Sequence, residues 1–358
     1  MIKRTIEISQ QPAHLSVRNG QLLIRSANPL PDGRGSEIQD RGSEIQDRGS
    51  EIQDRGSEIQ DRGAPDAPAD GVPSRRGVRA RLAEESRSAA SIPCEDVGVL
   101  IVDQPAVTYS HAALVELIAH NAAVVLCGRD HLPAGLLLPL GGHTQVVPRL
   151  HMQIAVGKPL CKRLWQQIVQ AKVRAQAHNL PDGADTRSKL LALARVVRSG
   201  DPTNVEAQAA RAYWSAFRGL LDDPDFRRDP DGPAPNHMLN YGYAVMRAAV
   251  ARAIVAAGLL PALGIHHCNR SDAFCLADDL VEPLRPMVDV RVLELTRAGE
   301  KELEPEVKRH LLELLTVTVR IAEQTGPLMV ALHGMVASLV HCMEGSAKRL
   351  DIPVLCES

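Results

Sequence analysis

A change of hydrophobic period near residue 150 restricts the fold more than any other feature of this chain. Upstream of it apolar residues alternate with polar ones, the two-residue repeat of a half-buried strand. Downstream they recur every three to four residues, the repeat of one helix face. Such a chain places a strand-rich part before a helix-rich one. The expectation is therefore an α+β protein, with a small N-terminal β domain over residues 1–148 and an all-α domain over residues 149–358.

Within the first part, residues 5–25 alternate in the strand manner, and Asn19-Gly20 stands between two apolar runs. Asn-Gly in that setting is a strong hairpin signal, so the chain is expected to begin with a small antiparallel sheet. That sheet is then interrupted, because GSEIQDR occurs four times without change over residues 35–62. Each copy offers one apolar residue, Ile, and a helix-weakening Gly, whereas a coiled coil needs two apolar positions per heptad. The low-complexity stretch of about 30–91 reads instead as a disordered, expendable surface insertion. Order is expected again from Asp96: GVLIVDQ as a buried strand, SHAALVELIAHN as a short helix, AVVLCG as a strand, and LLLPL and TQVV as further strands.

In the second part Pro159 opens a helix that runs to about 177, with Leu160, Leu164, Ile168 and Val169 on its apolar stripe. Further helices are expected over 186–199, from Asp201-Pro202 through VEAQAARAYWSAF, and over 239–257, about 304–323 and 328–349. The net charge of −2 names no partner by itself. Residues 151–200, however, carry nine Lys and Arg against two Asp. That cluster is either the footprint of a polyanion site or two solvated basic helix faces. Seven cysteines without a repeated CxxC pair, and no secretory core behind Met1, suit a reduced cytoplasmic protein, and no apolar run is long enough for a membrane span.

The chemistry-bearing stretch is LGIHHCNRSDAFCLADDLVEPLRP, residues 263–286. His266 and His267 follow a Gly264 turn, and Asp278, Asp279 and Glu282 follow them. A histidine and a carboxylate on a hairpin-length connection can converge on one divalent cation. Asp279 and Glu282 can equally be the capping residues of a helix, with paired histidines in an ordinary loop. Cys268 and Cys275 flank the segment at a spacing that fits no common zinc site. Glu206, among the apolar residues of VEAQAA, is an exposed helix residue or an inward-facing ligand, and Asn236, Asn240 and Tyr241 head another very apolar helix.

VEAQAARAYW, then the run from NYGYAVMRAAVARAIVAAGLLPALGIHH to DLVEPLRP, resembles CRISPR-associated protein one, the spacer-acquisition integrase and endonuclease, and most of all its type II branch. MIKRTIEISQQPAHLSVRNGQLLI and VGVLIVDQPAVTYSHAALVELIAHNAAVVLCG are similar to that family's N-terminal sheet, so the resemblance covers the chain outside about 30–91. It implies a metal held by Glu206, His267 and Glu282, with His266 and Asp279 as the neighbouring alternatives. Two carboxylates and an imidazole suit Mg2+ or Mn2+. The implied reaction is phosphodiester transesterification by a DNA 3′ hydroxyl, or cleavage by water, on double-stranded DNA of the fragment and the array. Lys162, Arg163, Lys172 and Arg174 are the expected phosphate contacts. A homodimer paired with CRISPR-associated protein two is implied as well. A metal-dependent nuclease of branched DNA in repair, and a non-catalytic DNA-binding scaffold, are the alternative functions.

Overall fold

The computed structural model describes residues 3–26, 90–129, 131–140 and 143–356. The strand-rich part contains β1 (Arg4–Ile8), β2 (Ala13–Arg18), β3 (Gln21–Ser26), β4 (Ala90–Pro93), β5 (Val97–Val102), β6 (Thr108–Tyr109), α1 (His111–Ala119), β7 (Ala123–Cys127) and β8 (Pro133–Leu137). The helical part contains α2 (Val146–Ala155), α3 (Lys158–His178), α4 (Asp185–Val196), α5 (Val205–Leu220), α6 (Asn236–Ala256), α7 (Cys275–Val281), a 3-10 turn (Glu282–Leu284), α8 (Arg285–Arg297), α9 (Pro305–Leu312) and α10 (Leu328–Met343). A small sheet of β9 (Thr318–Ile321), β10 (Gln324–Pro327) and β11 (Val354–Leu355) completes it. An N-terminal sheet region is thus followed by a mostly helical part, as the change of period implies.

The N-terminal strands divide between two sheets. The Asn19-Gly20 turn closes β2 on β3, with both residues at positive φ (51° and 70°) and Arg18 opposite Gln21. That hairpin belongs to a sheet ordered β4-β3-β2-β6, while β1 joins a second sheet ordered β1-β5-β7-β8. In the second sheet β1, β5 and β7 run parallel, and β5 is buried along its whole length. The pleat sends alternate residues to opposite faces. Val99, Ile101 and Val125 enter the core of the helical part, while Leu100, Val102 and Val124 pack with Leu15, Leu22 and Leu117 in a smaller core beneath the hairpin sheet. The sheet therefore joins the two parts through its own side chains.

Several expectations are corrected. TQVV is not a strand: Val146 and Val147 open α2, with Gln145 as its N-cap. Regular structure is present already at Ala90, ahead of the expected Asp96, because β4 pairs antiparallel with β3. The rest of the proposed insertion, with all four repeats, lies outside the described residues. The C-terminal part is not all-α. The helix expected over 304–323 ends at Leu312, and the β-branched run after Thr316 forms β9, which pairs with β10 and β11. The helix from Asp201-Pro202 begins four residues later, at Val205. Among the described residues no helix is long and apolar enough to cross a membrane.

Candidate active site

Three elements of the helical part deliver the proposed ligands to one place. Glu206 lies in the first turn of α5, whose entry is fixed twice over. The Asn204 side chain accepts from Ala207 N, and the Asp201 carboxylate accepts from Val205 N at 2.8 Å and Glu206 N at 2.9 Å. These bonds satisfy the free N–H groups of the helix start and set the direction in which Glu206 leaves it. Glu282 begins the 3-10 turn between α7 and α8 and is buried.

Between the two carboxylates stands Lys172 of α3. Its ammonium is 2.6 Å from Glu206 Oε1 and 2.5 Å from Glu282 Oε2, with a side chain only 10% exposed. The first contact is an aligned hydrogen bond. The second is a close ion pair whose angle falls short of one, so buried Glu282 Oε2 has no aligned donor. Burial pushes the Glu282 carboxyl up, but the Lys172 and Arg285 charges outweigh it and hold that group below the usual carboxylate range. Burial likewise lowers Lys172, and the two carboxylates more than reverse it.

The histidine loop is built around Asp279, which is fully buried. One of its oxygens accepts from Ile265 N at 2.5 Å and His266 N at 2.9 Å, the other from His267 N at 3.1 Å and His267 Nδ1 at 2.7 Å. Four acceptances exhaust the lone pairs of a carboxylate. Asp279 therefore orients the loop and the imidazole, and Glu282 is the carboxylate that faces Glu206. The Asp279 hydrogen bond lifts His267 above its ordinary range against burial, aided by the charges of Asp279, Glu282 and Glu206. Among the described residues Nε2 of His267 makes no hydrogen bond, and the ring is 46% exposed. His266 instead stacks flat on Trp165, with centroids 4.0 Å apart. Gly264 makes the turn possible, since a Cβ there would stand 2.2 Å from the backbone oxygen of His267.

Hydrogen bonds tie the surrounding elements together. Gln153 of α2 accepts from Leu260 N and donates to Leu260 O and Leu263 O at 2.9–3.0 Å, clamping the chain just before the histidines. Behind the site, Tyr213 of α5 donates to Asp289 of α8 at 2.9 Å and accepts from Asn179, at the end of α3. Asn236 and Asn240 both accept from Arg228 and hold the preceding loop over the start of α6.

Lys162, Arg163 and Arg174 are exposed on α3. Lys172 is not on that surface, so the expectation that it contacts phosphate alongside them is corrected. It sits at helical spacing from buried Trp165, Ile168 and Val169, a position on the apolar stripe that the sequence already displays. Counting the period would have placed it inward; its charge suggested otherwise.

The arrangement can hold a cation. Two carboxylates from different elements already converge on one positive charge, and an imidazole held at Nδ1 by Asp279 stands beside them. Two oxygen donors and a nitrogen fit a hard divalent ion. Among the described residues no group of three or more His, Cys, Asp or Glu has metal-holding geometry, and the cation they converge on is the Lys172 ammonium.

Residues 73–312 match the family model of CRISPR associated protein Cas1. A CRISPR-associated endonuclease Cas1 of Neisseria meningitidis serogroup C (strain 8013) is 38% identical over 77% of this chain and 90% of its own length. Among solved structures, a casposase bound to integration product superposes with a TM-score of 0.67 at 19% identity, covering 97% of this chain and 92% of that one. A Cas1 protein from Thermotoga maritima does so at 0.60 and 13% identity, covering 96% and 97%. A Cas6-RT-Cas1–Cas2 complex matches over 97% of this chain and 35% of that one, at 14% identity and a TM-score of 0.65. With the family model spanning well over half its length and a 38%-identical relative covering most of it, the chain belongs to the Cas1 family of CRISPR-associated endonucleases.

Proposed function

We propose that this chain is a divalent-metal-dependent DNA endonuclease and integrase of CRISPR adaptation, which inserts short DNA fragments into the array as new spacers. The observation that carries the reading is the convergence of Glu206 and Glu282 on one cation beside the Asp279-held imidazole of His267. Glu206, His267 and Glu282 would hold Mg2+ or Mn2+. When bound, the ion supplies Lewis-acid stabilisation of charge at a scissile phosphate.

The remaining work falls to the chain. Asp279 keeps Nδ1 of His267 engaged, which leaves Nε2 as the donor directed away from the loop. The exposed cations Lys162, Arg163 and Arg174 bind DNA phosphates and so position the duplex without reading its sequence. Attack by a DNA 3′ hydroxyl forms a new P–O bond as the bond to the departing 3′ oxygen breaks, and the proton of the attacking hydroxyl is lost to solvent. The number of phosphodiester bonds is conserved, so joining needs no ATP. Attack by water at the same phosphate cleaves.

Double-stranded DNA as substrate is in keeping with the casposase bound to integration product. A Cas2 partner is in keeping with the Cas1–Cas2 assembly among the structural neighbours. A homodimer and a cytoplasmic location complete the proposal.

The test is strand transfer of a labelled short duplex into a supercoiled plasmid carrying leader and repeat, with Cas2 and Mn2+. Joined product from the unaltered chain, lost in Glu206→Ala and His267→Ala, supports the reading. Cleavage of branched DNA without joining points to a repair nuclease, and DNA binding without either points to a scaffold.

A further inference from the structure

We infer that the Lys172 ammonium and a divalent cation compete for one position between Glu206 and Glu282, so that Lys172 sets how tightly this chain holds metal. The inference rests on the proposed reading of the site and deepens it.

Three observations carry it. The ammonium is the point on which both carboxylates converge, at 2.6 and 2.5 Å. Lys172 and Glu282 are withdrawn from water and Glu206 partly so, with side-chain exposures of 10%, 7% and 27%. At such separations a divalent ion and an ammonium repel strongly, and little solvent screens them. Both cannot share the carboxylates.

The third observation is a buried acceptor that can receive the displaced ammonium. Gln176 lies one turn further along α3, on the same face, and is 3% exposed. Its Oε1 is buried and has no hydrogen-bond partner. Helix side chains lean toward the N-terminus, so Gln176 leans over the turn that bears Lys172. A buried acceptor without a donor is costly to a fold, and a lysine ammonium on a flexible four-carbon stem one turn away is a donor that a change of rotamer can bring toward it. Lys172 thus has two resting places: the carboxylate pair, and Gln176 Oε1 once a divalent ion takes that pair. In the first it neutralises two buried carboxylates that would otherwise repel; in the second it leaves them to the ion.

The test is Mn2+ affinity of the full chain, measured by titration calorimetry and by paramagnetic resonance of free Mn2+. Lys172→Met is expected to bind Mn2+ at least tenfold more tightly than the unaltered chain. Lys172→Gln, which retains a neutral donor, should move in the same direction and guards against a folding defect in Lys172→Met. Gln176→Leu should weaken Mn2+ binding severalfold where Lys172 is present and leave it unchanged in the Lys172→Met background. Equal or weaker binding by both Lys172 variants would overturn the competition, and an equal effect of Gln176→Leu in both backgrounds would overturn the second resting place. Glu206→Ala separates the two levels of the argument. If the unaltered chain binds no Mn2+ that Glu206→Ala abolishes, the metal site itself fails. If it does, and Lys172→Met changes nothing, only the competition fails.

Discussion

Among the described residues two lysines are buried against carboxylates, and their settings differ. Lys308 of α9 pairs with Asp103, just beyond β5, at side-chain exposures of 4% and 1%. The lysine and the aspartate are themselves closed off from solvent, while the His131 ring at their edge is 56% exposed. Asp103 also contacts His131 at 3.0 Å, Tyr241 lies beneath the ammonium, and Glu7 stands close by. Lys172 pairs with two carboxylates and opens toward an imidazole that is nearly half exposed. The closed cluster ties the strand-rich part to the helical part. In the open one two carboxylates from separate elements share the Lys172 ammonium, with Arg285 on the far side of Glu282. Charge burial alone therefore does not distinguish the two; the sharing of one cation by two carboxylates beside an oriented imidazole does.

The largest effect that separates the clusters is on stability. Lys308→Met strands Asp103 in the junction, and removing one partner of a buried pair costs about 3–5 kcal/mol. Denaturant unfolding should show that loss, with no recovery on adding Mn2+. A loss below about 1 kcal/mol would mean that the junction is solvated and the contrast false.

Next in size is Asp279→Asn. Substituting the group that orients a ligating histidine costs roughly 10–100-fold in metal affinity, read by Mn2+ titration. Unchanged affinity would show that the Asp279–His267 bond is structural only.

A smaller effect is a pH dependence confined to the closed cluster. Burial, opposed by Lys308 and reinforced by Asp103, pushes the Glu7 carboxyl up from 4.5 to about 7. The folded chain then keeps a proton that the unfolded chain has lost, so this contribution is fully present below pH 4.5 and is lost as pH rises through 7. Glu7→Gln should gain on the unaltered chain between pH 5 and pH 8 in urea unfolding. A constant difference across that range would remove Glu7 from the account.

The smallest effect is expected from Arg174→Ala on the exposed face of α3. Binding of duplex DNA should weaken similarly for all sequences, and the salt slope should fall by about one. Melting temperature should not change. An unaltered slope would take α3 out of the DNA path.

Much of this was legible in the residues. The Asn19-Gly20 hairpin, the buried strand at Val97–Val102 and the helix led by Pro159 are local patterns, and they form where the patterns stand. What was hidden depends on partners far along the chain. The β-branched run Thr316–Val319 reads as the tail of a helix until β10 folds back on it and β11, more than thirty residues on, pairs with its other edge. Val146 and Val147 read as strand because two β-branched residues are too few to reveal a period. Glu206, His267 and Glu282 were singled out by motif resemblance and await the metal titration, while the role of Asp279 emerges only from the three consecutive N–H groups that its carboxylate gathers. Lys172 was misread because charge was weighed above helical phase.

The contrast between the clusters is tested most directly by running Mn2+-dependent strand transfer on Glu206→Ala and Lys308→Met side by side, with product normalised to folded protein. The account predicts that Glu206→Ala loses joining by about a thousandfold or more, the several kcal/mol expected of a lost metal ligand, at an unchanged melting temperature. It predicts that Lys308→Met melts earlier and joins normally per folded molecule. Robust joining by Glu206→Ala, or its loss in folded Lys308→Met, would contradict the account.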